Sequence, residues 1–452
     1  PDMSDPSATH RDLSRRLFLG SFGAVGASAA LAACSGSKTP PGAGAPSSGA
    51  FGEGEKYTGP KVALAFWNGF TGGDGPYMKK MVEEFNKANP NVTVTMNTLQ
   101  WGDFYSKVPN AVSSGAGPDV AAMHIDQLAT NAARRVLIPV DEIGEGLQLS
   151  ESDFAPVVWK AGVYKDNRYG IPLDVHPLGF YANTAHLEKA GIDGLPKDRK
   201  SFEDAVKAMQ DKSAVEKPFW VTATWPAHLM FTSLIAQFGG SIYNAEGTQA
   251  TFNSPEGVES LEWLLSFIKN GASPKNVSND AQAVAFRQQR NSLTWDGIWM
   301  MNEWEKVKDL QWAAAALPTI GDKPAVWASS HNLVVTSQAS KDPNKLAASR
   351  AFISYISDRS IEWAKSGQVP ARNSVRESPE FAALTVQSTL AEQLPNVVFP
   401  PTVPGIGDVT TPTYETAVNE VILGKKQPKP ALDAAAKKAD ALLKANVAKY
   451  QG

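Results

Sequence analysis

Between residues 61 and 123 the chain alternates short apolar runs with helical spacing, and this alternation limits the fold more than any other feature. Residues 61–66 (KVALAF) form a short apolar run with a turn-rich exit running from Asn68-Gly69 to Gly75-Pro76, which reads as a buried strand. Pro76 fits the first turn of a helix. Met78, Met81, Val82 and Phe85 then recur at helical spacing until Asn89-Pro90 stops them. Residues 92–96 (VTVTM) read as the next strand, and a helix is expected around 104–112. After the break at Gly115-Ala116-Gly117-Pro118, residues 119–123 form a further strand. Such alternation argues for an α/β layer with parallel strands. Ligands of these sheets sit beyond the carboxyl ends of the strands, so the loops at 68–74 and 124–126 are candidate site loops.

Further along, residues 169–172 and 179–183 read as two strands flanking a polar kink, Asp174-Val175-His176-Pro177. Helical patterns follow at 202–209, 228–238 and 257–269, the last bearing Leu261, Leu264, Leu265 and Ile268. Residues 291–299 read as a strand running into a glycine turn, 312–317 are apolar and end at Pro318, and 331–336 form another strand. Helices dominate from Lys345 onward. A chain of 452 residues is too long for one ordinary core and suggests two domains.

The N-terminal segment has a different character. Pro1-Asp2 ahead of Met3 reads as a cloning remnant and is set aside. Ser14-Arg15-Arg16-Leu17-Phe18-Leu19 precedes a weakly apolar run at 20–33, too short and too diluted by Gly and Ser for a spanning helix but suited to a signal peptide. The S-R-R-x-F-L pattern resembles the twin-arginine export signal, which implies translocation of a folded protein. Leu31-Ala32-Ala33-Cys34 resembles the bacterial lipobox, which implies that the thiol is acylated and that cleavage makes Cys34 the new N-terminus. The chain has 1 cysteine, so an internal disulfide framework and a cysteine-rich metal site are both excluded. Residues 34–57 are then the lipidated cysteine and a flexible Ser-, Gly-, Pro- and Ala-rich tether.

Composition narrows the partner. Formal net charge is −3, from 43 basic and 46 acidic residues, which gives no overall attraction to a phosphate backbone and makes nucleic acid an unexpected partner. The 12 tryptophans matter more, because aromatic faces left in a cleft bind apolar ligand faces.

The ordered motifs together resemble the extracellular solute-binding proteins of sugar-type ABC importers, the group that includes maltose-binding protein. They are Ala65-Phe66-Trp67-Asn68-Gly69, Gly115-Ala116-Gly117-Pro118-Asp119-Val120, Tyr169-Gly170-Ile171-Pro172 leading to Tyr181-Ala182-Asn183, Phe238-Gly239-Gly240, Trp295-Asp296-Gly297-Ile298-Trp299 and Gly367-Gln368-Val369-Pro370. The likeness spans roughly residues 60 to 440. It implies a periplasmic-binding-protein-like fold: two α/β lobes joined by crossing strands, closing on a ligand in the cleft between them. The first lobe is expected at 58–175 plus 325–368, the second at 176–318 plus 373–452. The resemblance further implies a monomer that hands its solute to the permease of an ABC importer, anchored outside the cytoplasmic membrane by the lipid on Cys34.

A sugar offers hydroxyls all round and an apolar CH face, so its site pairs carboxylates and amides with stacked aromatics. Trp295 and Trp299 flank a glycine turn beside Asp296, where the family places a stacking aromatic. Asp174 and His176 lie in the kink between the crossing strands, where family members place a ligand-bonding acid. Asn68, Phe70 and Asp74 lie on the first strand-to-helix loop, whose lack of Lys and Arg favours a neutral ligand. His124 and Asp126 follow the third strand, whereas Asp119 is expected to fix its own turn. Trp101, Trp225, His331 and Arg372 complete the candidates, Arg372 either as a bidentate donor to ligand oxygens or as a partner of a hinge carboxylate. No cofactor is expected, and neither calcium nor zinc has a sequence signal. A glycosidase would need two carboxylates at a defined separation. Here they are spread over loops, with neither a Gly-x-Ser-x-Gly elbow nor a His-Glu-x-x-His pair, so binding is expected rather than catalysis. Within binding, a mono- or oligosaccharide is expected, with a glycerophosphodiester or polyol as the alternative.

Overall fold

The strand Val62–Asn68 alternates buried and part-exposed residues, placing Leu64, Phe66 and Asn68 inward, as period-two side-chain geometry requires. The computed structural model to which it belongs describes residues 51–52, 56–212 and 214–450. The Arg15-Arg16 signal, Cys34 and most of the expected tether lie outside these residues. By Tyr57 the chain is already packed: this side chain is 5% exposed, and its backbone N–H donates to Asn89 Oδ1 at 3.1 Å. The tether expected up to residue 57 therefore ends earlier, because Tyr57 joins the hydrophobic core of the first lobe.

Val62–Asn68 pairs in parallel with Val92–Thr98 on one side and Val120–His124 on the other. His331–Val335 then runs antiparallel to Val120–His124, and Ile171–Pro172 closes this five-stranded sheet. The helices Gly75–Ala88 and Pro343–Asp358 cover it, packing Phe352 against Phe66 and Phe85 against Phe352. Buried Asp119 ties the layers together. Its carboxylate accepts from the Ala65 backbone at 2.9 Å and from Lys345 Nζ at 3.0 Å, the structural role expected of it.

The second sheet is built on Asp174–Asn183, all of whose residues are buried. Leu293–Gly297, Trp312–Ala315, Val326–Ser329 and Val369–Pro370 all pair antiparallel with it, and Val397–Val398 adds to Val326–Ser329 in parallel. Helices Arg199–Asp211, Ala227–Gln237, Pro255–Lys269 and Pro428–Tyr450 contribute to its core. Val326–Ser329, expected in the first lobe, thus belongs to the second sheet. The chain crosses to the first sheet only at Ser330, and it crosses the other way at Leu173. These two passages lie side by side, with Leu173 N–H donating to His331 O at 2.9 Å. Among the described residues, no helix is long and apolar enough to cross a membrane.

Candidate functional site

Both crossings and the carboxyl ends of the first-lobe strands open on one place, and the side chains there are mostly aromatic. His124 ends one strand, His331 begins the next, and the two are directly cross-paired. His176 comes in from the second sheet, opposite Ser329. The His176 and His331 rings stack with centroids 4.0 Å apart, and His124 lies 4.8 Å from His331. Trp101 covers them, 4.3 Å from the His124 ring and stacked on His331 at 5.4 Å. Phe70 fills the space between Trp101, His331 and Trp363. Trp101 can lie this close only because residue 69 is glycine: a Cβ there would stand 2.1 Å from the indole.

Asp174 organises the floor. Its carboxylate is fully buried and receives His176 Nδ1 at 2.9 Å, His331 Nδ1 at 2.8 Å, the His331 backbone N–H at 2.9 Å and Trp363 Nε1 at 2.7 Å. Burial alone would push its pKa up, but the facing imidazoles and their hydrogen bonds hold it well below the usual carboxylate range. Burial lowers the pKa of His176 to about 4 and that of His124 well below its usual value, so both rings are neutral at pH 7. His124 Nδ1 meets Tyr105 Oη at 2.7 Å.

The other acids of the site behave oppositely. Asp74 precedes the first helix, with Oδ2 accepting from Gln368 Nε2 at 3.0 Å and Oδ1 unpartnered, and burial raises its pKa to about 6. Asp126 is part-exposed, held by Gln127 Nε2 at 3.0 Å, yet enough protein surrounds it that desolvation raises its pKa to about 6. Asn68 is buried, accepting from the Phe70 backbone and from Thr98 Oγ1.

The second lobe faces this cluster with Trp299 and Trp225, both part-exposed and 6.1 Å apart. Trp299 lies 5.8 Å from the His176 ring, and its Cδ1 would stand 3.3 Å from a Cβ on Gly72 of the first lobe. Its indole rests on Gly297, where a Cβ would come within 2.0 Å. At another edge of the cleft the lobes also touch: Gly405 N–H donates to Thr130 Oγ1 at 2.8 Å, and Arg134 pairs with Asp408 at 2.5 Å. These two contacts join the lobes directly.

Three sequence-derived candidates sit elsewhere. Trp295 is 1% exposed and packs with Phe202, Phe219 and Trp263 inside the second lobe, because strand alternation turns it to the face opposite its neighbours. Asp296 is buried, bonded to the Gly297 backbone at 2.8 Å and to Gln282 Nε2 at 3.1 Å, and burial raises its pKa to about 7. Arg372 donates to Ser357 Oγ at 3.1 Å, a hinge contact rather than a place in the cluster. Conversely, Tyr105, Trp363 and Trp327, whose ring lies 6.0 Å from that of His176, belong to the site and were not singled out, and Gln368, the partner of Asp74, was named only within its motif. Tyr105 could have been found from its i+4 spacing to Trp101 on one helix face; Trp327 and Trp363 carry no local signal, and Gln368 was marked only by its motif.

Residues 80–386, more than half of the chain, match the family described as bacterial extracellular solute-binding protein. The chain belongs to that family. It is 23% identical to the maltodextrin-binding protein MdxE of Bacillus subtilis over 423 residues, covering 90% of this chain and 91% of that protein. It is 22% identical to the sn-glycerol-3-phosphate-binding periplasmic protein UgpB of Salmonella typhimurium over 422 residues, covering 86% of this chain and 94% of that one. Among solved structures, the GacH receptor of Streptomyces glaucescens, whose structures include a complex with acarbose, superposes with a TM-score of 0.76 at 20% identity. That superposition covers 85% of this chain and 99% of the receptor. The fold is therefore the two-lobed one of periplasmic solute-binding proteins, as the resemblance implied.

Proposed function

We propose that this chain is the capture subunit of an ABC importer: exported, held at the membrane by a lipid on Cys34, and closing its lobes on a mono- or oligosaccharide that it passes to the permease. The observation that carries the carbohydrate reading is the facing of Trp299 and Trp225 from one lobe against Trp101, Asp126 and Asp74 from the other. Indole faces match the CH face of a pyranose, and the acids match its hydroxyls. Closure then follows from a ligand that binds the closed arrangement better than the open one. The relatives are binding proteins, so we read the site as one for capture.

Titration calorimetry of the purified chain against mono- and oligosaccharides, polyols and glycerophosphodiesters tests the reading. Trp299→Ala is expected to weaken sugar binding by about 1–2 kcal/mol, roughly five- to thirtyfold, with little change in melting temperature. Binding only to phosphodiesters would replace the carbohydrate assignment with the glycerophosphodiester one. Unchanged sugar affinity in Trp299→Ala would remove that ring from the site.

A further inference from the structure

The three histidines at the cleft floor are arranged for something a sugar does not require. His124, His176 and His331 each offer one ring nitrogen, and these nitrogens all lie within 4.8 Å of one another. In every ring Nδ1 is already engaged: with Tyr105 Oη in His124, with Asp174 Oδ1 in His176 and with Asp174 Oδ2 in His331. The nitrogen left to each is Nε2. A carboxylate accepting Nδ1–H fixes the tautomer that presents a lone pair at Nε2, which is how outer-shell carboxylates orient metal-ligating histidines. Asp174 does this for two rings at once, and Trp363 Nε1 and the His331 backbone hold it in place. Tyr105 Oη, which takes the His124 backbone N–H at 2.9 Å, has a second lone pair for Nδ1–H of the third ring.

A second observation points the same way. His176 is 1% exposed, and its Nε2 has no hydrogen-bond partner. A buried polar atom left unsatisfied is costly and needs an explanation. A cation held among the three rings would supply that partner.

We propose that His124, His176 and His331 form a tri-histidine site for a divalent transition cation of the zinc class at the floor of the cleft. Imidazole nitrogens suit zinc, nickel, copper and cobalt rather than calcium or magnesium. Bonds of about 2.0–2.1 Å in a tetrahedral site set the nitrogens roughly 3.3 Å apart, so the rings draw inward from their spacing of up to 4.8 Å when an ion binds. Three protein ligands leave a fourth position open. His124 is the part-exposed member of the set, and the opening lies on its side. The proposal does not depend on which solute the clamp captures.

The test uses the full chain, stripped with a chelator and with its single thiol blocked, titrated with zinc chloride alone and, separately, with cobalt(II) and copper(II). One ion per chain, a raised melting temperature, and nitrogen splittings from several imidazoles in the copper resonance spectrum are expected. His124→Gln spares the Asp174 network, so it is expected to fold with the parent circular dichroism spectrum and melting temperature in chelator, and to bind zinc at least about a hundredfold more weakly. Tyr105→Phe removes the partner of His124 Nδ1 and of its backbone N–H and is expected to weaken zinc about tenfold. Binding of equal strength in the parent and His124→Gln, or a copper spectrum without imidazole nitrogen, would overturn the proposal. Sugar affinity measured in chelator reports separately on the carbohydrate reading.

Discussion

Replacing Asp296 with asparagine is expected to make the protein more stable, and only above acidic pH. Its carboxyl is 2% exposed and accepts two neutral hydrogen bonds, one from the Gly297 backbone and one from Gln282. No cation pairs with it in these bonds, so burial dominates and raises its pKa to about 7 from 3.8. Each pKa unit corresponds to about 1.4 kcal/mol, which makes ionisation in the folded chain on the order of 4 kcal/mol less favourable than in the unfolded one. The sign follows from proton counts. Below pH 3.8 both states hold the proton and the folded chain keeps its full stability. As pH rises toward about 7 the unfolded chain releases its proton while the folded chain retains it, so stability falls, and the loss levels off above that pH. Asparagine mimics the neutral acid at every pH. Its Oδ1 keeps the Gly297 bond, and its amide can donate to Gln282 Oε1, which has no partner in the parent. Urea unfolding at intervals from pH 4 to pH 8 measures the effect. Subtracting parent from variant cancels Asp74 and Asp126, whose raised pKa values act in the same direction. Asp296→Asn is expected to match the parent near pH 4 and to exceed it by up to about 4 kcal/mol at pH 8. A difference independent of pH, or a variant weaker than the parent at pH 8, would refute the reasoning.

Asp119→Ala removes the buried acceptor of the Ala65 backbone and the partner of part-exposed Lys345, and is expected to cost about 1–3 kcal/mol in urea unfolding; a loss well under about 1 kcal/mol would show that the site relaxes around it. Arg134→Ala breaks a part-exposed pair between the lobes, worth up to about 1 kcal/mol, so the unfolding midpoint should hardly move while X-ray scattering reports a larger radius of gyration. An unchanged scattering curve would mean that the Arg134–Asp408 pair does not help hold the clamp shut. Gly297→Ala drives a Cβ into the Trp299 indole, so its tryptophan emission should shift toward that of Trp299→Ala; a parent-like spectrum would contradict the close stacking.

The first lobe was legible because its strands and helices alternate locally: 61–66, 92–96 and 119–123 were all expected as strands, and the structure extends or shifts each by one or two residues. The helices 202–209 and 257–269 were equally plain, since their apolar stripes follow helical spacing, whereas the one at 228–238 is buried on every side. Sheet membership was less readable. Val326–Ser329 lies one residue from a strand of the other sheet, and nothing local to 326–331 reveals that the chain changes sheets at Ser330. Trp295 and Trp299 illustrate the same limit within five residues. They share an aromatic character and a turn, yet a strand ends between them, and one faces the core while the other faces the cleft. The histidine cluster was invisible as a cluster, because its members stand at 124, 176 and 331 and only the pairing of two strands and a crossing brings them together.

That pairing also sets an order of events during synthesis. The strand His331–Val335 lies between Val120–His124 and Ile171–Pro172, so the first sheet is interrupted until residue 335 has left the ribosome. By then most of the second lobe, including Leu293–Gly297 and Trp312–Ala315, has already emerged. The N-terminal portion must wait, unclosed, for a segment some two hundred residues downstream, and contacts of such long sequence separation slow folding. A nascent chain stalled before residue 331 should therefore be sensitive to protease in its first lobe, and one stalled well past residue 358 should be resistant there, once the covering helix Pro343–Asp358 can dock.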